Sequence, residues 1–140
     1  MLNASGIKNW LVGVGGEMRA RGQKPDGTAW AVGHERPVAG KRDVMGVIEL
    51  TDRAIATSGN YRHFRDEGGH RLSHTIDPRH RSPVANDMAL VTVFASTCML
   101  ADAWATALFV MGEQDLLATA RHHGLDVVIV RTDQSVAATL

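Results

Sequence analysis

The chain has one cysteine, one tyrosine and no excess of either charge, with 15 Lys and Arg balanced by 15 Asp and Glu. A lone Cys98 excludes an internal disulfide and a thiolate-clad zinc site. No nucleophile signature surrounds it, and it reads as a small buried apolar residue. A net charge of zero excludes a protein that wraps nucleic acid through bulk positive charge, so no nucleic acid is expected as a partner. No apolar run approaches the length of a membrane span. The first residues also lack the charged segment and apolar run of a secretion signal. What remains is 140 residues at 44% hydrophobic content, which suits a single domain with an ordinary core.

Along the chain, Trp10 to Val14 is an apolar strand candidate ending at Gly15-Gly16. Glu17 to Arg21 continues or re-pairs it. Pro25-Asp26-Gly27 signals a turn from which Ala29 to His34 returns as a hairpin arm. After a loop over Pro37 to Arg42, strands are expected at Val44 to Leu50 and Arg53 to Ala56, the latter closed by Thr57-Ser58-Gly59-Asn60. Gly68-Gly69 separates Tyr61 to Phe64 from a strand over Arg71 to Ile76.

Ala89 to Ala95 is a strong strand, rich in Val and Thr. Ser96 or Thr97 caps the next helix, which Gly112 ends; Glu113 to His123 forms a second helix stopped by Gly124. Asp126 to Val130 is a final strand. The expected class is α+β: a mixed, mostly antiparallel sheet with two C-terminal helices.

Two segments carry the chemistry. Ala101-Asp102-Ala103-Trp104-Ala105-Thr106-Ala107 sets a carboxylate and a hydroxyl four residues apart, on one helix face about a turn from each other. An Asp among Met99, Leu100, Trp104, Leu108, Phe109 and Val110 is costly unless something pairs with it. Hard oxygen donors suit a magnesium-like cation better than zinc. Equally, Thr106 could bond back to the Asp102 carbonyl, and Asp102 could pair with an arginine. Ser73-His74-Thr75-Ile76-Asp77-Pro78 adds an imidazole and a second carboxylate on a strand running into a turn. Here too a plain reading stands, with His74 structural and Asp77 a turn starter.

Other constellations are weaker. Val12-Gly13-Val14-Gly15-Gly16 suggests a dinucleotide fingerprint, but Met18 stands where a third glycine is needed and no helix follows. Glycines at a crowded strand end, beside a ligand, remain a reading of that segment. Thr57-Ser58-Gly59-Asn60 offers hydroxyls and amides for a phosphate, or is a simple turn. His70 and His74 are four apart, a zinc-ligand spacing on a helix, but the flanking glycines and the Arg71-to-Ile76 alternation favour a strand, where they share a face two pleats apart. Arg62, His63, Arg65, His70, Arg71, His74, Arg79, His80 and Arg81 crowd one polar stretch, most of which reads as a solvated loop.

Six landmarks in order resemble the ApbE family of FAD:protein FMN transferases. They are Gly15-Gly16-Glu17, Pro25-Asp26-Gly27-Thr28-Ala29-Trp30, Ala56-Thr57-Ser58-Gly59-Asn60-Tyr61, Ser73-His74-Thr75-Ile76-Asp77-Pro78-Arg79, Val91-Thr92-Val93, and Ala101-Asp102-Ala103-Trp104-Ala105-Thr106-Ala107. The resemblance implies Mg2+-dependent transfer of FMN from FAD to a threonine hydroxyl of an acceptor protein, with release of AMP. It implies that His74 is the catalytic base and that Asp102 and Thr106, with the Ala105 backbone, hold the metal. Thr57, Ser58, Gly59, Thr75, Ile76 and Asp77 would bind the nucleotide.

After Pro78-Arg79 the family continues Thr-Gly-x-Pro, whereas this chain reads His80-Arg81-Ser82-Pro83, which adds positive charge within reach of phosphate. The resemblance also implies that residues 1–140 are one domain matching the C-terminal half of such transferases, with the upstream half absent. That would bare apolar surface for self-association or a partner chain. Family members are often periplasmic or anchored to the bacterial inner membrane, and a cytoplasmic location is compatible too. Two other functions fit the same residues: a non-catalytic nucleotide-binding or assembly module, and hydrolysis of FAD to FMN and AMP.

Overall fold

In the computed structural model, residues 2–38, 40, 43–61, 64–67 and 70–139 are described, with 64–67, 70 and 71 described as backbone. Twelve strands are present among these residues: β1 (Trp10–Val14), β2 (Glu17–Arg21), β3 (Trp30–Glu35), β4 (Val44–Leu50), β5 (Ala54–Gly59), β6 (Phe64–Glu67), β7 (His70–Ser73), β8 (Ile76–Asp77), β9 (Ser82–Pro83), β10 (Met88–Ala95), β11 (Asp126–Arg131) and β12 (Val136–Ala138). Helices α1 (Cys98–Met111) and α2 (Glu113–His123) stand between β10 and β11. The main sheet runs β1-β2-β5-β10-β11-β12, and every pairing in it is antiparallel. The chain is α+β, as its patterning predicts.

Alternation along β10 explains the layering. Successive side chains of a strand point to opposite faces. Val91 and Val93 face α1 and α2, joining Leu108, Phe109, Leu116, Ala120, Val127 and Ile129 in one core. Phe94 lies in a second core on the other face, where the β3–β4 hairpin contributes Val32 and Leu50 beside Ala20 and Ile55. The sheet is thus sandwiched between helices and a hairpin.

Helix α1 starts where Thr97 Oγ1 accepts the Leu100 N–H at 3.2 Å, and Gly112 ends it at φ +87°. Gly124 stops α2 in the left-handed region at φ +59°, a conformation glycine adopts without steric cost.

Four expectations need correction. The strand at 30–35 does not return on β2; it pairs with β4, while β2 pairs with β1 and β5. Thr57, Ser58 and Gly59 are not a turn but the end of β5, laddered to Thr92, Val91 and Leu90. Gly59 is needed there, since a Cβ would come 2.5 Å from the Ala89 carbonyl oxygen. The strand foreseen over 71–76 breaks after Ser73, whose hydroxyl accepts the Thr75 N–H at 3.1 Å and bends the chain. Cys98 is half-buried rather than buried. Gly68 and Gly69, and Ala39, Lys41 and Arg42 of the expected loop, lie outside the described residues.

Candidate active site

The edge of β5 opens the site. Its pairing with β2 involves only Ala54 and Ile55, so from Ala56 onward no described strand lies on that side. A cleft of about 590 Å³ occupies the space. Because Thr57 and Ser58 point to opposite faces of the sheet, the cleft straddles the strand. It takes in α1 on one side and the β3–β4 hairpin on the other.

On the helix side, Ser58 Oγ lies 2.9 Å from Thr106 Oγ1, and Asp102 stands one turn before Thr106. All three line the cleft. Asp102 is exposed, which corrects the expectation of a carboxylate sunk among apolar neighbours; Trp104, Leu108, Phe109 and Val110 face the core, while Met99 and Leu100 are exposed as well. No described side chain forms an ion pair or hydrogen bond with it, so neither an arginine nor a structural cap accounts for it. Thr106 bonds to Ser58 rather than to its own helix. Ala105 is wholly buried on the sheet side of α1.

On the hairpin side, His34 Nε2 is 2.9 Å from Thr92 Oγ1, and Thr57 Oγ1 is 2.8 Å from that same oxygen. Burial pushes the His34 pKa below its ordinary value, favouring the neutral ring. The Gly15-Gly16 turn, both glycines at positive φ, and Glu17 close another side.

His74 and Thr75 reach the cleft from the bend between β7 and β8. That bend is held at both ends: the Ser73 hydroxyl accepts from Thr75, and the Thr75 carbonyl accepts the Val84 N–H at 2.9 Å. Asp77 braces the following loop. Its carboxylate accepts from Arg79 Nε and Nη2 at 3.0 and 2.9 Å, from the Arg79 amide at 2.9 Å and from His80 Nδ1 at 3.0 Å. The Arg79 guanidinium, with His80, holds the Asp77 carboxyl far below the usual carboxylate range. Arg79 also donates to the Val110 carbonyl at 2.9 Å, tying the loop to the end of α1.

The structure therefore brings together His74, Thr75, Thr57, Ser58, Gly59, Asp102 and Thr106. Ile76 and Asp77 do not line the cleft, nor do Ala105, Arg79, His80 and Arg81. Of the arginine- and histidine-rich stretch, Arg62 and His63 lie outside the described residues, as do the side chains of Arg65, His70 and Arg71. Sequence reasoning missed His34, Thr92 and Glu35. The Val32–His34 alternation on a strand held the signal for the first.

A magnesium ion fits this donor set. Among the described residues no group of three or more His, Cys, Asp or Glu could enclose a metal. A cation that keeps several waters and takes one or two carboxylates plus ligand phosphates needs no such cage. Asp102, which pairs with no side chain among the described residues, would supply the charge. Burial pushes the Cys98 thiol pKa up, which disfavours the thiolate.

Comparison with known proteins places these features. The ApbE family model matches residues 1–129. The FAD:protein FMN transferase of Vibrio cholerae is 44% identical over 133 residues, covering 94% of this chain and 40% of that protein. The FAD:protein FMN transferase of Haemophilus influenzae is 41% identical, covering 90% of this chain and 37% of its own length. The structure of the flavin transferase ApbE from Vibrio cholerae superposes with a TM-score of 0.84 at 41% identity, over 98% of this chain and 44% of that one. The ApbE protein of Thermotoga maritima gives 0.81 at 31% identity, over 93% of this chain and 42% of that one. The chain thus spans about two-fifths of the length of the relatives it matches. The family match runs over nearly the whole chain, sequence and fold agree with it, and the chain belongs to the ApbE family.

Proposed function

We propose that this chain carries the catalytic base and metal donors of an FMN transferase that moves FMN from FAD to a threonine hydroxyl of an acceptor protein. One observation carries the reading: His74 and the Asp102–Thr106–Ser58 group face one cleft from separate elements. A second supports the metal. The cleft is lined by the carboxylates of Asp102 and Glu17, and among the described residues no Lys or Arg lines it. A pyrophosphate entering such a cleft meets like charge unless a cation intervenes.

Asp102 and Thr106, with the backbone of Ala105 between them, would hold the ion. Bound there, Mg2+ neutralises pyrophosphate charge and orients the phosphorus for in-line displacement. His74 takes the proton of the acceptor hydroxyl as its oxygen bonds to the FMN phosphorus. The bond from that phosphorus to the AMP oxygen breaks, and AMP departs. Thr57, Ser58, Gly59 and Thr75 line the path of the nucleotide, and the Asp77 latch keeps the His74 bend in place. The 140 residues act as one folding unit. The exposed Val12, Val14, Met99 and Leu100 offer a surface for a second copy or a further chain.

The test is direct. The chain is incubated with FAD, magnesium and a threonine-bearing acceptor, and AMP release and acceptor-bound flavin are followed. Flavin on the acceptor supports the transferase. AMP with free FMN assigns hydrolysis to the same centre, and neither product marks a non-catalytic module.

A further inference from the structure

His34 and Thr57 sit at the two ends of one hydrogen-bonded wire whose middle is sealed in protein. Thr92 between them is wholly buried and bonds to both, while His34 and Thr57 line the cleft. The second ring nitrogen of His34, Nδ1, bonds to no described residue and is not shut away from solvent.

Proton counting limits what this wire shows a ligand. A hydroxyl has one proton, and a neutral imidazole has one N–H and one lone pair. Burial of His34 favours the neutral ring near pH 7. If the proton is on Nδ1, then Nε2 accepts from Thr92, Thr92 accepts from Thr57, and Thr57 shows the cleft only a lone pair. If it is on Nε2, the ring donates to Thr92, Thr92 donates to Thr57, and Thr57 turns its own proton outward. Either state therefore offers one free donor, the Nδ1–H or the Thr57 hydroxyl, and the donor moves between ring and hydroxyl with the tautomer.

We infer that His34, Thr92 and Thr57 form a tautomer-coupled reader for a nitrogen heterocycle that presents a hydrogen-bond donor beside an acceptor. The apolar lining of this face, Val32, Ile48, Ile55 and Leu90, suits the flat of such a ring. The identity of the ring rests on the flavin-transfer reading. The imide edge of an isoalloxazine and the amidine edge of adenine both carry the pattern, and FAD contains both. The reader leaves the transfer step to other groups; it decides which ring stays in the cleft.

Nitrogen-15 spectra of histidine-labelled chain report the His34 tautomer directly, with His34→Gln assigning the signals. Riboflavin and AMP are titrated separately. The expected result is that one of them shifts both His34 nitrogens, and that His34→Leu weakens that ligand about tenfold while sparing the other. Such a loss matches one or two hydrogen bonds. Thr57→Val, which leaves the ring untouched, is expected to move the His34 tautomer ratio through Thr92, and His34→Gln to recover part of the affinity.

His34 signals unmoved by either ligand, or unaltered in Thr57→Val, overturn the reader. So does wild-type affinity in His34→Leu. FMN transfer that persists alongside such results leaves the transferase reading standing. Ligand-shifted His34 signals without any transfer keep the reader and discard the transferase.

Discussion

Ser58 Oγ and Thr106 Oγ1 meet at 2.9 Å, joining a strand to a helix 48 residues further along the chain. The bond draws Thr106 away from its own helix and toward the cleft. Asp102, one turn earlier on the same face, is thereby presented beside two hydroxyl oxygens rather than alone. This grouping underlies the first prediction.

Asp102→Ala should cut magnesium-dependent AMP release by at least about 10²-fold, since a bound metal supplies several kcal/mol of charge stabilisation. Stability should change by less than about 0.5 kcal/mol, because the side chain is exposed. AMP release measured against magnesium concentration checks this, and undiminished turnover would remove the metal assignment.

His74→Asn should slow FMN transfer by about 10²–10⁴-fold, the usual contribution of a positioned base. Affinity for FAD should be largely retained, as the bend is held by bonds among Ser73, Thr75 and Val84 that the substitution leaves in place. Binding and single-turnover rates measured on the same preparation separate the two effects. Equal rates would end the role of His74 as base.

Arg81 has φ +55°, where the family resemblance puts glycine. A side chain in that region costs about 1–2 kcal/mol, partly offset by the greater freedom glycine loses on folding. Arg81→Gly should therefore stabilise the chain by about 0.5–1 kcal/mol. The backbone bond from Arg81 N–H to the Asp77 carbonyl, at 2.7 Å, survives the change. A urea midpoint that fails to rise would show that the loop gains nothing from glycine.

Asp77 gives a pH signature. Its folded pKa lies below the unfolded value because of Arg79 and His80. Its stabilising effect is therefore full above the unfolded value and is lost as pH falls toward the folded one, below about pH 4. Asp77→Asn should be less stable than wild type at pH 6, with the gap closing in acid. Urea midpoints across that range test it, and a gap independent of pH would sink the latch.

Local pattern made part of this legible. The α1 cap at Thr97, the stops at Gly112 and Gly124, and the shared face of Asp102 and Thr106 all follow from neighbours within a turn or two. What escaped depends on distant partners. Thr57-Ser58-Gly59-Asn60 has turn composition, but ladder bonds to β10 hold its first three residues extended. Strand β12 consists of Val136, Ala137 and Ala138, with no pattern of its own until β11 pairs with it. His34 is a polar residue near the end of a strand, and its meaning lies in Thr92, 58 residues away.

Ala101 and Ala105 have no accessible surface where α1 rests on β5 and β10. A methyl group is all that separates rod from sheet at those points, so short side chains on either side can touch. Anything bulkier would raise the rod like a shim and part Ser58 from Thr106. Two inert positions thus act as the spacer that sets the gauge of the reactive corner.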